Sequence, residues 1–527
     1  MNLNKSLFAV LLAFFIGGSP KSFSQFHQPH RFEQELNNSD EGFTIISLKK
    51  EGLALIRDLN KYNRSNKKWQ LEIVDTTLSK LWSTELELEN RLILVGYEYS
   101  PRHLYLLFRE GEAELHNFQL LTIPFHEKTI QTDIIKFEMN FRMTNFTVAG
   151  NSAVFGGVVS NEAAVLLYNQ SSNQPKVLPG LFVNDMNLLD VRANQNQSFN
   201  VLLTEVKGKD KKKLIIRTYD QDGNLLIDDV ILIDPPFNIL SGLTSTLERD
   251  EMVIAGTYGI GTSKQASGFF SVVVDPFNEQ PVTYIDLSSL EHTLDYLSPR
   301  KAEKTRAKAL KQKTLGHIPD YKAYVIPFRI EERPDGFYLL AEQYYPTSNI
   351  NPYPYSYNYY NPYSYGYYPY GLSPYMRNYP TSPYMYNSTA RNSDVRTVQT
   401  MALKLGSHGK FEKDNSLKLI NVKQPGLEQV GDFIVAHDSI LLAYKNESDI
   451  FIQKEKGDLD EIRPVEKIKI KLADPLDVLR NENENEGGIR HWYDNHFYIW
   501  GYQNIRNTTR SQDPSRHVFY INRFSLE

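Results

Sequence analysis

The strongest constraint on the fold is a short apolar run, most often closing on a small residue, that recurs along the whole chain. Eight copies stand out: Gly52-Leu-Ala-Leu-Ile56, Leu92-Ile-Leu-Val-Gly96, Ala153-Val-Phe-Gly-Gly157, Phe199-Asn-Val-Leu-Leu203, Met252-Val-Ile-Ala-Gly256, Phe337-Tyr-Leu-Leu-Ala341, Ile440-Leu-Leu-Ala443 and Phe497-Tyr-Ile-Trp-Gly501. A second apolar run follows each after a hairpin-length gap, as in Leu104-Tyr-Leu-Leu-Phe108, Ala164-Val-Leu-Leu-Tyr168, Gly268-Phe-Phe-Ser-Val272 and Val518-Phe-Tyr-Ile-Asn522. Clusters of Asn, Asp, Gly and Pro divide them, which is the signature of an all-β chain. The units repeat roughly every 40 to 60 residues outside two insertions, the period of propeller blades. A propeller grows by adding blades around an axis, so 527 residues need not fit around one core. The expectation is a single β-propeller of seven or eight blades over 43–527, its first and last units sharing or adjoining a blade. Closure is expected to bring residues 43–60 beside Val518 to Phe524, since an open ring would expose two sheet edges. Two β-sandwich domains are the alternative, because regular strand spacing serves both architectures.

Two insertions interrupt the rhythm near the sixth unit. The first, over 298–315, is helical and basic: Ser298 suits an N-cap, Pro299 the first helical position, and residues 300–313 carry seven positive charges and one negative. Its apolar face is thin, chiefly Ala302, Ala309 and Leu310, which predicts loose docking outside the ring with lysines facing solvent or an acidic partner. The second, over 344–390, is rich in Tyr and Pro, with sixteen of the chain's 33 tyrosines and eight of its 26 prolines lying between Tyr344 and Tyr386. Prolines at that density remove ladder donors and fix φ too often for a helix or a central strand. A tyrosine presents a rigid apolar face and one polar tip, suited to a protein surface or a sugar. The candidate binding residues are Tyr353, Tyr355, Tyr357, Tyr359, Tyr360, Tyr363, Tyr365, Tyr367, Tyr368 and Tyr370.

The N-terminus reads as an export signal over 1–24: Lys5 precedes an apolar stretch from Leu7 to Gly18, and Ser22-Phe23-Ser24 supplies the small residues before cleavage at Gln25. Twelve apolar residues fall short of the roughly 20 that span a bilayer, and no later stretch is longer. A flexible tail, 25–42, is expected to follow. There is no cysteine, so disulfides and thiolate metal sites are excluded. Formal charge is −5, and loss of Lys5 and Lys21 with the signal makes it −7, which argues against nucleic acid as the main partner.

The segment Glu332-Arg-Pro-Asp-Gly-Phe-Tyr-Leu-Leu-Ala-Glu-Gln-Tyr344, between the basic helix and the strand Val395-Arg-Thr-Val-Gln-Thr-Met-Ala-Leu-Lys404, resembles a group of exported, functionally uncharacterised β-propeller-like proteins of Bacteroidetes bacteria. Trp69-Gln-Leu-Glu-Ile-Val-Asp-Thr-Thr-Leu78 with Trp82 is similar to the opening of the same group. The resemblance implies a periplasmic or cell-surface setting and brings no catalytic residue. The long tyrosine insertion departs from the group's usual pattern.

Local motifs for chemistry are weak. Asp220-Gln-Asp-Gly-Asn224 shares alternate oxygens with a calcium loop but lacks the later ligands, and an Asp-Gly hairpin turn explains it better, as it does Asp335-Gly336. His491-Trp-Tyr-Asp-Asn-His496 holds two imidazoles, yet a separation of five sends them to opposite faces of a strand, and Asp494-Asn495 reads as a turn. His27 and His30 fall in the tail. Asn481 to Glu486 reads as a solvated acidic loop and Lys207 to Lys213 as a charged hairpin tip. Val74 to Trp82 resembles one tryptophan-docking repeat of quinone-dependent propellers, but with four tryptophans the chain cannot repeat it in every blade. No phosphate loop or nucleophile elbow is present. The reading is therefore a non-enzymatic exported scaffold, monomeric or part of a hetero-complex, without cofactor or metal. Its tyrosine insertion would bind an envelope or secretion-associated protein. Carbohydrate binding is second, and a propeller glycoside hydrolase third, since acids on distant blades leave no local motif.

Overall fold

The computed structural model describes residues 26–36, 41–111, 116–125, 129–160, 162–181, 185–205, 211–247, 251–346, 395–424, 427–436, 439–454, 464–510 and 513–526. They form eight four-stranded antiparallel sheets arranged as the blades of one β-propeller. From the axis outward, blade 1 is Thr44–Ser47, Leu53–Asn63, Asn66–Val74 and Lys80–Glu89, and blade 2 is Leu92–Tyr99, His103–Glu110, Asn117–Pro124 and Gln131–Lys136. Blade 3 runs from Phe141–Ala149 to Gln174–Val177, blade 4 from Met186–Ala193 to Leu225–Ile233, and blade 5 from Phe237–Thr244 to Thr283–Asp286. Blade 6 is Tyr324–Arg333, Gly336–Pro346, Val395–Leu405 and Phe411–Gln424, and blade 7 runs from Gly431–Ala436 to Glu466–Lys469. Blade 8 takes Val478–Tyr493, His496–Arg506 and Ser515–Leu526 from the C-terminal end of the chain and its outermost strand, Phe26–Glu35, from the other end.

The core is a ring of eight apolar clusters, each shared by two neighbouring blades. This arrangement explains the recurring sequence run. A second strand is buried on both faces, and its alternate side chains serve different neighbours: Phe337, Leu339 and Ala341 pack toward blade 5, Tyr338 and Leu340 toward blade 7. Both sets must be apolar, so the strand reads as continuous rather than alternating. Seven of the eight runs are second strands. Leu92 to Gly96 is instead the innermost strand of blade 2, and Leu104 to Phe108 is its second.

Three of the small residues sit where the innermost strand bulges. Register shifts occur between Met143 and Asn145, Ile239 and Ser241, and Pro327 and Arg329, opposite or beside Gly157, Gly256 and Ala341. A Cβ at Gly157 would lie 2.2 Å from the Arg142 carbonyl oxygen, and one at Gly256 2.0 Å from that of Ser241. Backbones at that separation require glycine.

Closure differs from expectation. Phe26–Glu35, expected as flexible tail, pairs antiparallel with Ser515–Leu526, Phe26 opposite Leu526 and Glu35 opposite Val518. Phe26 stacks on Phe524 at 5.3 Å, and Arg31 lies 4.2 Å above the Tyr520 ring while donating to Asn522 and Gln503. Residues 43–60 begin blade 1 instead and meet blade 8 side by side: Phe43 packs on Phe519 at 4.6 Å, and Trp492 Nε1 donates to the Gly52 carbonyl at 3.1 Å. The signal segment lies outside the described residues.

Strands alternate in direction, so interblade connections and second-to-third hairpins open on the same face of the ring. The helix lies in the connection from blade 5 to blade 6, and the tyrosine insertion in the second-to-third hairpin of blade 6. Both therefore leave from one face.

Candidate functional site

That face is built first by residues 287–323. Leu287, Leu290 and Leu294 are buried and anchor the segment between blades 5 and 6. Asp414 on the outermost strand of blade 6 accepts the backbone amides of Glu291 and His292, each at 2.8 Å, and Gln399 donates to the Thr293 carbonyl at 2.8 Å. The helix Pro299–Thr314 follows, its first turn closed onto the Ser298 carbonyl. Ala302 and Ala309 are buried, whereas Leu310, expected on the docking face, is 65% exposed. Cations complete the attachment instead. Arg306 donates to the Glu291 carbonyl and to Asp295, Lys313 pairs with Asp286 at 2.8 Å and reaches Ser289, and Lys308 pairs with Asp320 at 2.7 Å.

Between helix and segment lies a cleft of about 830 Å³ lined by Ser288, Glu291, His292, Asp295, Glu303, Arg306 and Lys313, among others. His292 Nδ1 stands 2.9 Å from Asp295 Oδ2, and Arg306 holds the other carboxylate oxygen at 3.3 Å. Burial alone would lower the His292 pKa, but the Asp295 hydrogen bond and the charges of Asp414, Asp295 and Glu291 raise it above the usual imidazole value. Burial raises the Asp414 carboxyl despite its two amide bonds. The cleft thus offers an imidazole and a guanidinium beside carboxylates. No sequence motif announced it, since Asp414 lies 122 residues from His292.

A tyrosine cluster roots the second insertion. The Tyr296 hydroxyl is 2.9 Å from that of Tyr321 and 3.0 Å from that of Tyr345, and Gln343 donates to Tyr345 at 3.2 Å. Burial pushes the Tyr296 phenol up to about 12. The strands flanking the insertion pair to their ends, Pro346 opposite Val395, so the chain leaves and returns at adjacent points. The ten candidate tyrosines from Tyr353 to Tyr370 lie outside the described residues.

Around the axis, acids from one blade bind the next. Glu342 of blade 6, fully buried, accepts the amides of Gly431 at 2.8 Å and Val430 at 2.9 Å and the Thr400 hydroxyl at 3.0 Å. Burial raises its carboxyl to about 7 against the pull of those donors and of Arg490. Asp432 pairs with Arg329 at 2.9 Å and accepts the His491 amide at 2.8 Å, while Asp190 of blade 4 accepts the Thr244 amide of blade 5 at 2.9 Å. Burial would push Glu331 up, but the Arg329 and Arg333 guanidiniums hold it at about 2. Burial also keeps His491 neutral, near 4. Glu98 of blade 2 receives the Thr147 hydroxyl of blade 3 at 3.1 Å. Each of these acids except Glu331 bonds a neighbouring blade, so they act as clasps.

The remaining motifs resolve as structure. Asp220 caps a hairpin turn through Asp222 N at 2.9 Å and Asn224 N at 2.8 Å, with Gly223 at φ 76°. His491 lies two residues before the end of one strand, Val478–Tyr493, and His496 begins the next, the first bonding the Asp494 carbonyl and the second meeting Arg523. The expected acidic loop is a correction: Asn481 and Glu482 lie in a strand, and Glu482 is buried against Lys445 at 2.7 Å and the Tyr520 hydroxyl at 2.6 Å. Its neighbours on the adjoining strands supply the partners that a solvated loop would lack.

No known family's profile and no curated protein matches the sequence. Among solved structures, similarity is found to the polysaccharide lyase Uly1, at 8% identity and TM-score 0.37 over 95% of this chain and 100% of that one. The β-propeller domain of the Trilobed protease from Pyrococcus furiosus is similar at 8% identity and TM-score 0.34, over 82% and 93%. Cobalt-substituted Synechocystis apocarotenoid oxygenase gives 8% and 0.29, over 51% and 64%, so the chain spans less than two thirds of that protein's length. The propeller assignment rests on the eight sheets themselves.

Proposed function

We propose that the chain is an exported binding protein whose insertion-bearing face recognises another envelope protein, with the tyrosine segment between 344 and 386 as its contact surface. One observation carries this reading: two unrelated insertions, one basic and one aromatic, leave the ring side by side from the same face, joined at the root by the Tyr296, Tyr321 and Tyr345 hydroxyls. Blades need neither insertion to close. Sixteen tyrosines supply contact area at low side-chain entropy cost, and the prolines among them lower the entropy lost on docking. Export is supported by the n-region, apolar stretch and small residues before Gln25.

The test replaces residues 350–386 by a short Gly/Ser linker and compares co-purified proteins and glycan-array binding with the unaltered chain. Loss of a specific protein partner with the ring still folded supports the proposal. An unchanged partner set overturns it, and loss of glycan binding alone transfers the role to a carbohydrate.

A further inference from the structure

From the helix Pro299–Thr314 we infer the chemistry of the partner, an inference that rests on the binding-protein reading: its outward stripe is a docking surface for an acidic protein segment carrying apolar side chains. The helix sorts its cations by face. Arg306 and Lys313 turn inward and take Asp295 and Asp286, and Lys308 takes Asp320. Arg300, Lys301, Lys304 and Lys311 are exposed, and none has an acidic partner among the described residues. At 100° per residue Arg300, Lys304 and Lys311 fall within about 40° of one another, with Lys301 flanking them. Asp295, Asp320 and Asp286 are taken by Arg306, Lys308 and Lys313, and Glu303 is the helix's one acid, so the stripe keeps a net positive charge on a chain whose formal charge is negative overall.

The same attachments hold the helix in place before any partner arrives, so little ordering cost is left to binding. Leu310, on the cleft-side flank of the helix, and Leu315, just past its C-terminal end, are 65% and 63% exposed. Cations alone would suit any polyanion. Cations with adjacent leucines favour a protein segment over an acidic polysaccharide, which has no aliphatic side chains to cover them. The two leucines are too few to anchor the helix in a bilayer.

An exposed ion pair is individually weak, so the three aligned cations and the flanking Lys301 must act together and in a salt-dependent way. The experiment measures fluorescence anisotropy of a labelled Glu-Glu-Leu repeat peptide, with polygalacturonate and anionic phospholipid vesicles as competitors. The full chain is compared with the variant carrying Arg300→Gln, Lys301→Gln, Lys304→Gln and Lys311→Gln, substitutions that retain helix propensity. The expected result is peptide binding that weakens with salt, a loss of tenfold or more in the variant, and competitors at least tenfold weaker than unlabelled peptide. Equal binding by the variant, or a competitor as strong as the peptide, overturns the inference. Should the variant fail to fold, carbodiimide coupling of the unaltered chain to the peptide decides: adducts at Lys301, Lys304 or Lys311 support it, and adducts elsewhere only overturn it. A chain with residues 350–386 replaced should still bind the peptide, which separates this outcome from failure of the binding reading itself.

Discussion

Glu342 shows how one side chain can tie stability to pH. Its carboxyl is fully buried and raised to about 7, against about 4.3 in an unfolded chain. The native state therefore binds more protons than the unfolded state between those values, and stability falls as pH rises through that window. Below it both states are protonated and the penalty vanishes. Above it the penalty is constant, on the order of 3 kcal/mol. Glu342→Gln keeps an oxygen for the Val430 and Gly431 amides and removes the charge. Melting followed from pH 5 to 8 should show the unaltered chain losing stability relative to the glutamine variant as pH rises, and parallel curves would refute the assignment. None of this was legible in the sequence, because the partners of Glu342 lie 88 and 89 residues away on another blade. The same holds for Asp414 and His292. A local motif needs its groups on one element, and these sites borrow theirs from several.

Elements were legible in proportion to how much apolar surface they hide. Second strands are buried on both faces, so Phe337 to Ala341 or Met252 to Gly256 announce themselves as unbroken apolar runs. Outermost strands bury little, and Phe26–Glu35 carries only Phe26, Pro29 and Phe32 among polar residues, its pairing secured by Arg31 and by Arg516 reaching Glu35 at 3.3 Å. Such a strand looks like a tail. The helix was read from its N-cap, proline and composition, but its mode of attachment was not, because a thin apolar face suggests loose docking when cations complete the contact. Arg306→Ala with Lys313→Ala removes the pairs to Asp295 and Asp286, each worth about 0.5–1 kcal/mol when partly exposed. Amide exchange over 302–313 should quicken roughly tenfold while exchange in the blades stays unchanged. Unaltered helix protection would show that Ala302 and Ala309 alone suffice.

For the molecule as a whole, stability depends on a seam. Seven blades are each made from one continuous stretch, and the eighth joins both ends of the chain, so the ring is closed by the pairing of Phe26–Glu35 with Ser515–Leu526. Every apolar cluster is shared between neighbours, which passes a loss at the seam around the circle. Removing residues 26–36 strips Phe26 from Phe524, Phe32 from Phe519 and Arg31 from Tyr520, and leaves Ser515–Leu526 as an unpaired edge. The truncated chain should melt about 10 °C lower, still in one transition, and should self-associate through the exposed strand. Because the vacancy matches one segment, a synthetic peptide of residues 25–36 should restore the melting temperature in proportion to its occupancy and suppress self-association. Calorimetry with and without the peptide decides it: a truncated chain that melts like the full one, or that ignores the peptide, would mean that the packing of Phe43 and Trp492 between blades 1 and 8 closes the ring without the strand.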